Sequence, residues 1–305
     1  MNDTKKIEAP TSQGAICVSV IIPAYNRRDY IGDAIESVIR QGTENLELII
    51  VDDGSDDGTF ELLEKYSGDK SIHVITHPGR ENRGQSAAIN LGIENSSGEF
   101  VAILDSDDMF APEKLATQID FLRAHPEIGM VYGQGHAIDA AGEFLFKVPG
   151  DGHLEPSDPN RLLLDCYMAL PGGSLIRRSV LERVGLFEES FRAGQDHDMA
   201  IRIMEATQCA YLPKLAFYYR KHGDSISVKG LERRWLTGME ILRRAAERYP
   251  YKKNTIRKRK AVLHFRLGQT YWRERRKAKA LPHLISSGLL DPARALMVLI
   301  GREQV

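Results

Sequence analysis

Four times within residues 16–125 a short apolar run rich in β-branched residues gives way to a segment whose apolar residues have helical spacing. The runs are ICVSVIIPAY, LELIIVDD, SIHVIT and EFVAILD, and the segments that follow them are YIGDAIESVIRQ, DGTFELLEKY, GQSAAINLGIENS and APEKLATQIDFLRAH. Nearly uninterrupted apolar strands belong to a sheet buried on both faces. Alternation of strand and helix with short loops makes that sheet mostly parallel and flanks it with helices, an α/β fold. Sheets of this kind bind ligands at the carboxyl ends of their strands. Each run here ends in polar or special residues: PAYN, DDGS, HPGREN and DSDD.

The last of these places Asp105, Asp107 and Asp108 within four positions at a strand end. Such a cluster repels itself unless a positive charge sits among it, and a helix cap needs one carboxylate rather than three. No GxxxxGK[ST] loop is present, and GQGHAI is only a fragment of a dinucleotide fingerprint after the wrong strand, so ATPase and common dehydrogenase chemistry recede. What remains is a nucleotide-sized crevice lined by carboxylates. Paired Asp residues hold Mg²⁺ or Mn²⁺ through one or two oxygens while substrate phosphates fill other coordination positions. The expected positive charge is therefore a divalent metal bridging to a diphosphate.

Charge divides the chain. Lys229 to Val305 carries 20 Lys and Arg against 6 Asp and Glu, a net +14, which leaves 21 against 36, a net −15, for residues 1–228. An acidic body suits a cation-holding site, and a basic tail suits an anionic surface. Residues 1–15 read as a flexible N-terminus and 16–228 as one α/β domain. Residues 229–305 read as a basic, all-helical C-terminal appendage, in which Leu267, Gly268, Tyr271, Ala280, Leu284 and Pro292 match the offsets of a tetratricopeptide-like helical hairpin. The tail's charge is either solvated helix surface or a peripheral contact with an anionic membrane. No nucleic-acid-binding fold is visible and aromatics are sparse among the charges. Three widely spaced cysteines form neither a disulfide framework nor a zinc site, and no apolar segment has the length of a signal h-region or membrane span. A cytoplasmic location, with peripheral contact at the inner face of the membrane, is the expectation.

Five stretches in order, VSVIIPAYN (18–26), VDDGSDDGT (51–59), ENRGQSAAINLG (81–92), LDSDD (104–108) and AGQDHDMAIRI (193–203), resemble the inverting family 2 glycosyltransferases of GT-A fold. The resemblance covers about residues 16–228 and implies transfer of a sugar from a nucleotide-diphosphate sugar to a glycan or lipid-linked acceptor in cell-surface polysaccharide synthesis. It gives Pro23, Ala24, Tyr25 and Asn26 the wall of the base pocket, with Tyr25 stacking on the base. Asp53 would accept from the base imide, which favours uracil or thymine and makes a UDP-linked donor the leading expectation, while Asp52 holds the turn. Asn82 and Arg83, at a helix start, would meet phosphate or ribose. Asp105 would contact ribose or metal-bound water, and Asp107 would be the principal ligand of Mg²⁺ or Mn²⁺, with Asp108 the weaker candidate. His222, in YYRKHGDSIS, inherits a role as metal ligand or diphosphate contact.

An inverting transfer deprotonates the acceptor hydroxyl on the face opposite the leaving diphosphate, so one carboxylate must stand away from the metal. The resemblance gives this place to Asp196, where the family more often has Glu-Asp and this chain has Gln195. Asp198 is the competing carboxylate, with a helix-start role as its alternative. The small residues of GGS (172–174) would shape the acceptor pocket. A nucleotidyltransferase would need a basic glycine-rich loop after the first strand, which PAYNRRDY is not. A catalytically silent module that senses a sugar nucleotide is the remaining alternative, opposed by the presence of both Asp107 and Asp196.

Overall fold

A computed structural model of the protein describes residues 16–66, 68–221 and 230–299. The first half runs β1 (Val18–Ala24), α1 (Ile31–Ile39), β2 (Leu46–Asp52), α2 (Thr59–Leu63), β3 (Ile72–Thr76), α3 (Gln85–Glu94) and β4 (Phe100–Ile103). These are three of the four units read from the alternation and the strand of the fourth. Strands β1 and β4 are buried along their whole length, as continuous apolar runs require. The register is parallel throughout: β1 pairs with β2 and β4, and β2 pairs with β3.

The second half continues with β5 (Met109–Phe110), α4 (Lys114–Ala124), β6 (Ile128–Ile138), β7 (Phe144–Val148), α5 (Pro159–Leu164), β8 (Ser174–Arg177), α6 (Arg178–Val184), α7 (Gln195–Ala206) and β9 (Gln208–Arg220). The sheet has nine strands in the order β3-β2-β1-β4-β8-β6-β9-β5, with β7 paired to β6. Here the pairing is mixed. β6 and β9 are parallel, whereas β8 runs antiparallel to both β4 and β6, and β5 to β9. The antiparallel partners lie far apart in the chain, Phe100 beside Arg177 and Met109 beside Tyr218, so local strand–helix alternation no longer reports the pairing in this part of the sequence.

Two apolar clusters sandwich the sheet. One joins Val20, Ile22, Ile35, Leu48 and Leu115; the other joins Ile21, Ile103, Ile176, Met199 and Ile203. Alternate residues of β1 go to opposite clusters, as strand geometry dictates. Four helices follow, α8 (Leu231–Arg248), α9 (Lys253–Arg273), α10 (Lys277–Leu290) and α11 (Pro292–Leu299), and the second cluster extends into α8 and α9 through buried Ile241, Leu242, Ala245 and Leu263. α9 and α10 form a hairpin closed by residues 274–276. Its helices approach closely because a side chain on Gly268 would collide with Leu284. No helix among the described residues is long and apolar enough to cross a membrane.

Candidate active site

At the amino end of β2, the buried Glu47 carboxylate is satisfied locally. Burial opposes the charge of Glu47, yet hydrogen bonds from Ser19, Ser97 and Gly98 hold its carboxyl below the usual range. The carboxyl ends differ: Asp52, Asp108 and Asp196 each keep one buried carboxylate oxygen with no hydrogen-bond partner among the described residues. Uncompensated buried carboxylate oxygens are costly, and they concentrate where a fold reserves a place for chemistry.

The nucleotide side is built by the turns after β1, β2 and β3. Pro23 and Ala24 are buried at the end of β1, and Tyr25, 45% exposed, stands at the rim. Asn26, in left-handed backbone at φ 51°, braces the turn after β2: its Nδ2 donates to Asp56 at 2.8 Å and its Oδ1 accepts from the Asp56 amide. Asp52 accepts from the Ser55 amide and faces Arg80 at 3.5 Å. Asp53 accepts from the amides of Arg83 at 2.8 Å and Gly84 at 2.7 Å. The carboxylate expected to read the base thus clamps the loop that opens α3, and His77 lies 3.6 Å from it. Asn82 and Arg83 are exposed just ahead of α3, with Arg83 reaching Glu189 at 3.5 Å. Gly84 has φ 92° and ψ 163°, a conformation essentially confined to glycine.

After β4 the acidic cluster meets a cation that the sequence reading missed. Arg27 sets its Nε 3.2 Å from Asp107 Oδ2, both side chains largely shielded, while its Nη1 donates to the carbonyls of Tyr25 and Asn26. Burial, then the charges of Asp196 and Asp107, push the Asp105 carboxyl well above the carboxylate range, against Arg27 and a hydrogen bond from Gln85. Asp108 is raised likewise by burial and its acidic neighbours, and it accepts from the Arg220 amide at 2.9 Å. Asp108 therefore anchors β9, whereas Asp107 faces the guanidinium.

Asp196 occupies the first turn of α7. One of its oxygens is buried without a partner, and burial pushes its carboxyl up to about 6. It lines a small cavity with Ile103, Leu170, Pro171, Ser174 and Phe187. Asp198 differs: it is 3% exposed and bound by Arg202 Nε at 2.9 Å, an i,i+4 ion pair on its own helix. A relay crosses the site, from Gln195 Nε2 to Gln85 Oε1 and from Gln85 Nε2 to Asp105 Oδ1, each at 2.7 Å. Neither glutamine's partner could be read from the chain, because Gln85 and Gln195 lie 110 positions apart.

The GGS segment serves packing more directly than expected. A side chain at Gly172 would collide with Phe217 and one at Gly173 with the Ala169 carbonyl oxygen, and Gln118 and Lys114 donate to the carbonyls of Gly173 and Ser174. Ser174 alone of the three lines the Asp196 cavity. His222 lies outside the described residues. Among the described residues no group of three His, Cys, Asp or Glu side chains could hold a metal ion. Mg²⁺ or Mn²⁺ at a diphosphate requires only one or two protein carboxylates, and the hard oxygens of Asp105 and Asp107 at one strand end fit that demand.

Residues 19–185 match the model of the family described as Glycosyl transferase family 2. An uncharacterized glycosyltransferase of Rickettsia bellii is 32% identical over 216 residues, 70% of this chain and 31% of that protein. TuaG of Bacillus subtilis, a glycosyltransferase named for teichuronic acid biosynthesis, is 46% identical over 106 residues, 34% of this chain and 41% of that one. S. aureus TarS 1-349, solved in complex with UDP-GlcNAc, superposes with a TM-score of 0.68 at 20% identity, over 89% of this chain and 79% of that one, and is a neighbour in fold. The chain spans about a third of the length of the first curated relatives it matches.

Proposed function

The chain belongs to the family 2 glycosyltransferases, and from that premise we propose that it transfers a sugar, with inversion, from a nucleotide-diphosphate sugar to a glycan or lipid-linked acceptor in cell-surface polysaccharide synthesis. The observation that carries the reading is the division of the carboxylates: Asp107 faces Arg27, while Asp196 keeps a buried, partnerless oxygen and lines a small cavity at its own helix start. A bond forms between the acceptor oxygen and the anomeric carbon as the bond from that carbon to the diphosphate breaks. Asp196 takes the hydroxyl proton, and a carboxyl poised near 6 suits a general base at neutral pH. Arg27 faces the charge of the departing diphosphate. A divalent cation, held by Asp107 with Asp105 beside it and His222 as a further candidate, supplies neutralisation of that charge when bound.

The donor is a UDP-sugar in this reading. TarS, solved with UDP-GlcNAc, supports it. The protein acts in the cytoplasm, with its basic helices in peripheral contact with an anionic inner membrane face. That contact is supported by Leu281, Ile285 and Leu289, which are 50%, 60% and 80% exposed at i, i+4 and i+8 of α10.

A thermal-shift screen of UDP-, dTDP- and GDP-sugars with and without Mn²⁺, followed by a turnover assay, tests the reading. Ligand binding raises apparent stability by mass action. A Mn²⁺-dependent rise with a UDP-sugar, and turnover, is the expected result. Response to GDP-sugars alone would overturn the donor assignment, and binding without turnover would favour a silent sensing module.

A further inference from the structure

The base helix and the C-terminal helices meet at the end of α5. His197, next to Asp196, is a neutral imidazole, pushed down to about 4 by burial, and its Nε2 lies 2.8 Å from the Leu162 carbonyl oxygen. Two residues on, Arg259 of α9 donates from Nη1 to the Leu164 carbonyl oxygen at 2.8 Å. A cation at a helix C-terminus is favourable, which accounts for one arginine here. Others gather beside it. Arg234 of α8 and Arg266 of α9 both stand over the Trp235 ring, their guanidinium carbons 5.4 and 5.8 Å from its centroid. The charges of Arg273 and Arg294 also bear on Arg266.

Little negative charge offsets this group. Asp165 is the carboxylate that acts on both Arg259 and Arg266, while burial and the charge of Arg234 work against the charge of each. Cys166, the next residue, joins the two regions: the charge of Asp196 acts on its thiol, and so do those of Arg259 and Arg234. The cluster is therefore a neighbour of the base: His197 and Arg259 both meet α5, at Leu162 and Leu164. Arg234 is exposed, and Arg259 and Arg266 are half-buried, so a ligand can reach all three. Like charges held together in partly desolvated surroundings repel one another unless an anion shares them, and guanidinium groups match phosphate and carboxylate oxygens bidentately.

We propose that Arg234, Arg259 and Arg266 dock an anionic group of the acceptor, a phosphate or carboxylate carried by the glycan or by its lipid carrier, next to Asp196. The proposal rests on the reading of Asp196 as the base. It directs part of the tail's positive charge into the site, whereas a lipid surface is the rival destination for that charge.

The test uses the full chain, saturated with UDP and Mn²⁺ so that the donor site is closed to competing anions. Binding is measured for a synthetic phosphodiester-linked polyol, for inorganic pyrophosphate and for vesicles containing anionic lipid. Three proteins are compared: wild type, the double variant Arg234→Gln/Arg266→Gln, and Lys253→Gln/Lys277→Gln as a control for tail charge elsewhere. Arg259 is left in place because it caps α5. Wild type should bind a phosphate probe, the arginine variant should bind it at least tenfold more weakly, and the lysine variant should match wild type. Preference for the polyol assigns the anion to the glycan, and preference for pyrophosphate assigns it to a lipid diphosphate. Equal loss in both variants, unchanged binding in the arginine variant, or binding to vesicles with no binding to either phosphate probe would overturn the proposal. If UDP fails to stabilise the wild type, the donor reading fails, and the phosphate titrations without UDP still decide the arginine cluster.

Discussion

At the residue scale, two carboxylates two positions apart on one helix end have different fates. Asp198 is consumed by Arg202, and Asp196 is left with an oxygen that nothing described satisfies. A carboxyl raised to about 6 means that the folded state prefers the protonated form. The cost of holding Asp196 ionised is therefore present above about pH 6 and fades as pH falls below it. Asp196→Asn should consequently raise Tm at pH 8 by about 2–5 °C, and the gain should shrink below pH 6. Calorimetry across that range checks it, and a variant destabilised at pH 8 would count against an uncompensated buried anion. Transfer by the wild type should fall in the same window, because the base must be ionised. The acidic residues of this site were legible because strand ends collect them and the family motif orders them. Arg27 was not, although it stands in PAYNRRDY: nothing in the spacing says which of two adjacent arginines turns towards Asp107, 80 positions away.

At the element scale, the loop that opens α3 depends on one glycine. Gly84 combines φ 92° with ψ 163°, and its amide donates to Asp53 while Arg192 packs where a side chain would begin. Arg192 is flexible and could move aside; the backbone could not. Gly84→Ala should cost about 1–3 kcal/mol. Because the same amide holds Asp53, nucleotide stabilisation should weaken as well. A denaturant titration with a parallel nucleotide thermal shift reads both, and a variant as stable as wild type would show that the loop tolerates another conformation. The parallel strands β1 to β4 were legible because a doubly buried strand is continuously apolar. β8 and the pairing of β6 with β9 were not, since their partners are set by long-range closure of the sheet and not by local period.

At the scale of the whole molecule, the charge division was visible in the sequence, but its destination was not. The C-terminal helices share the apolar cluster that also holds Met199 and Ile203 of the base helix, so α8 and α9 support the site directly. Removing residues 229–305 would strip Ile241, Leu242, Ala245 and Leu263 from that cluster, which makes point substitution the sounder probe of the tail. The hairpin of α9 and α10 was legible from the Gly268 and Leu284 offsets, because close helix packing demands a small residue opposite a large one. Within one carboxylate cluster two roles fall to different residues in this reading, donor and metal to Asp107 and acceptor deprotonation to Asp196, with Asp105 feeling the charge of both. Nucleoside diphosphate release and donor affinity, measured together for wild type, Asp107→Ala, Asp196→Asn and Asp198→Asn, test it most directly. Asp107→Ala should lose both Mn²⁺-dependent donor stabilisation and release. Asp196→Asn should keep donor affinity while release falls by roughly 10²–10⁴-fold, and Asp198→Asn should stay within about tenfold of wild type. Near-normal release by Asp196→Asn beside a large loss in Asp198→Asn would contradict the account.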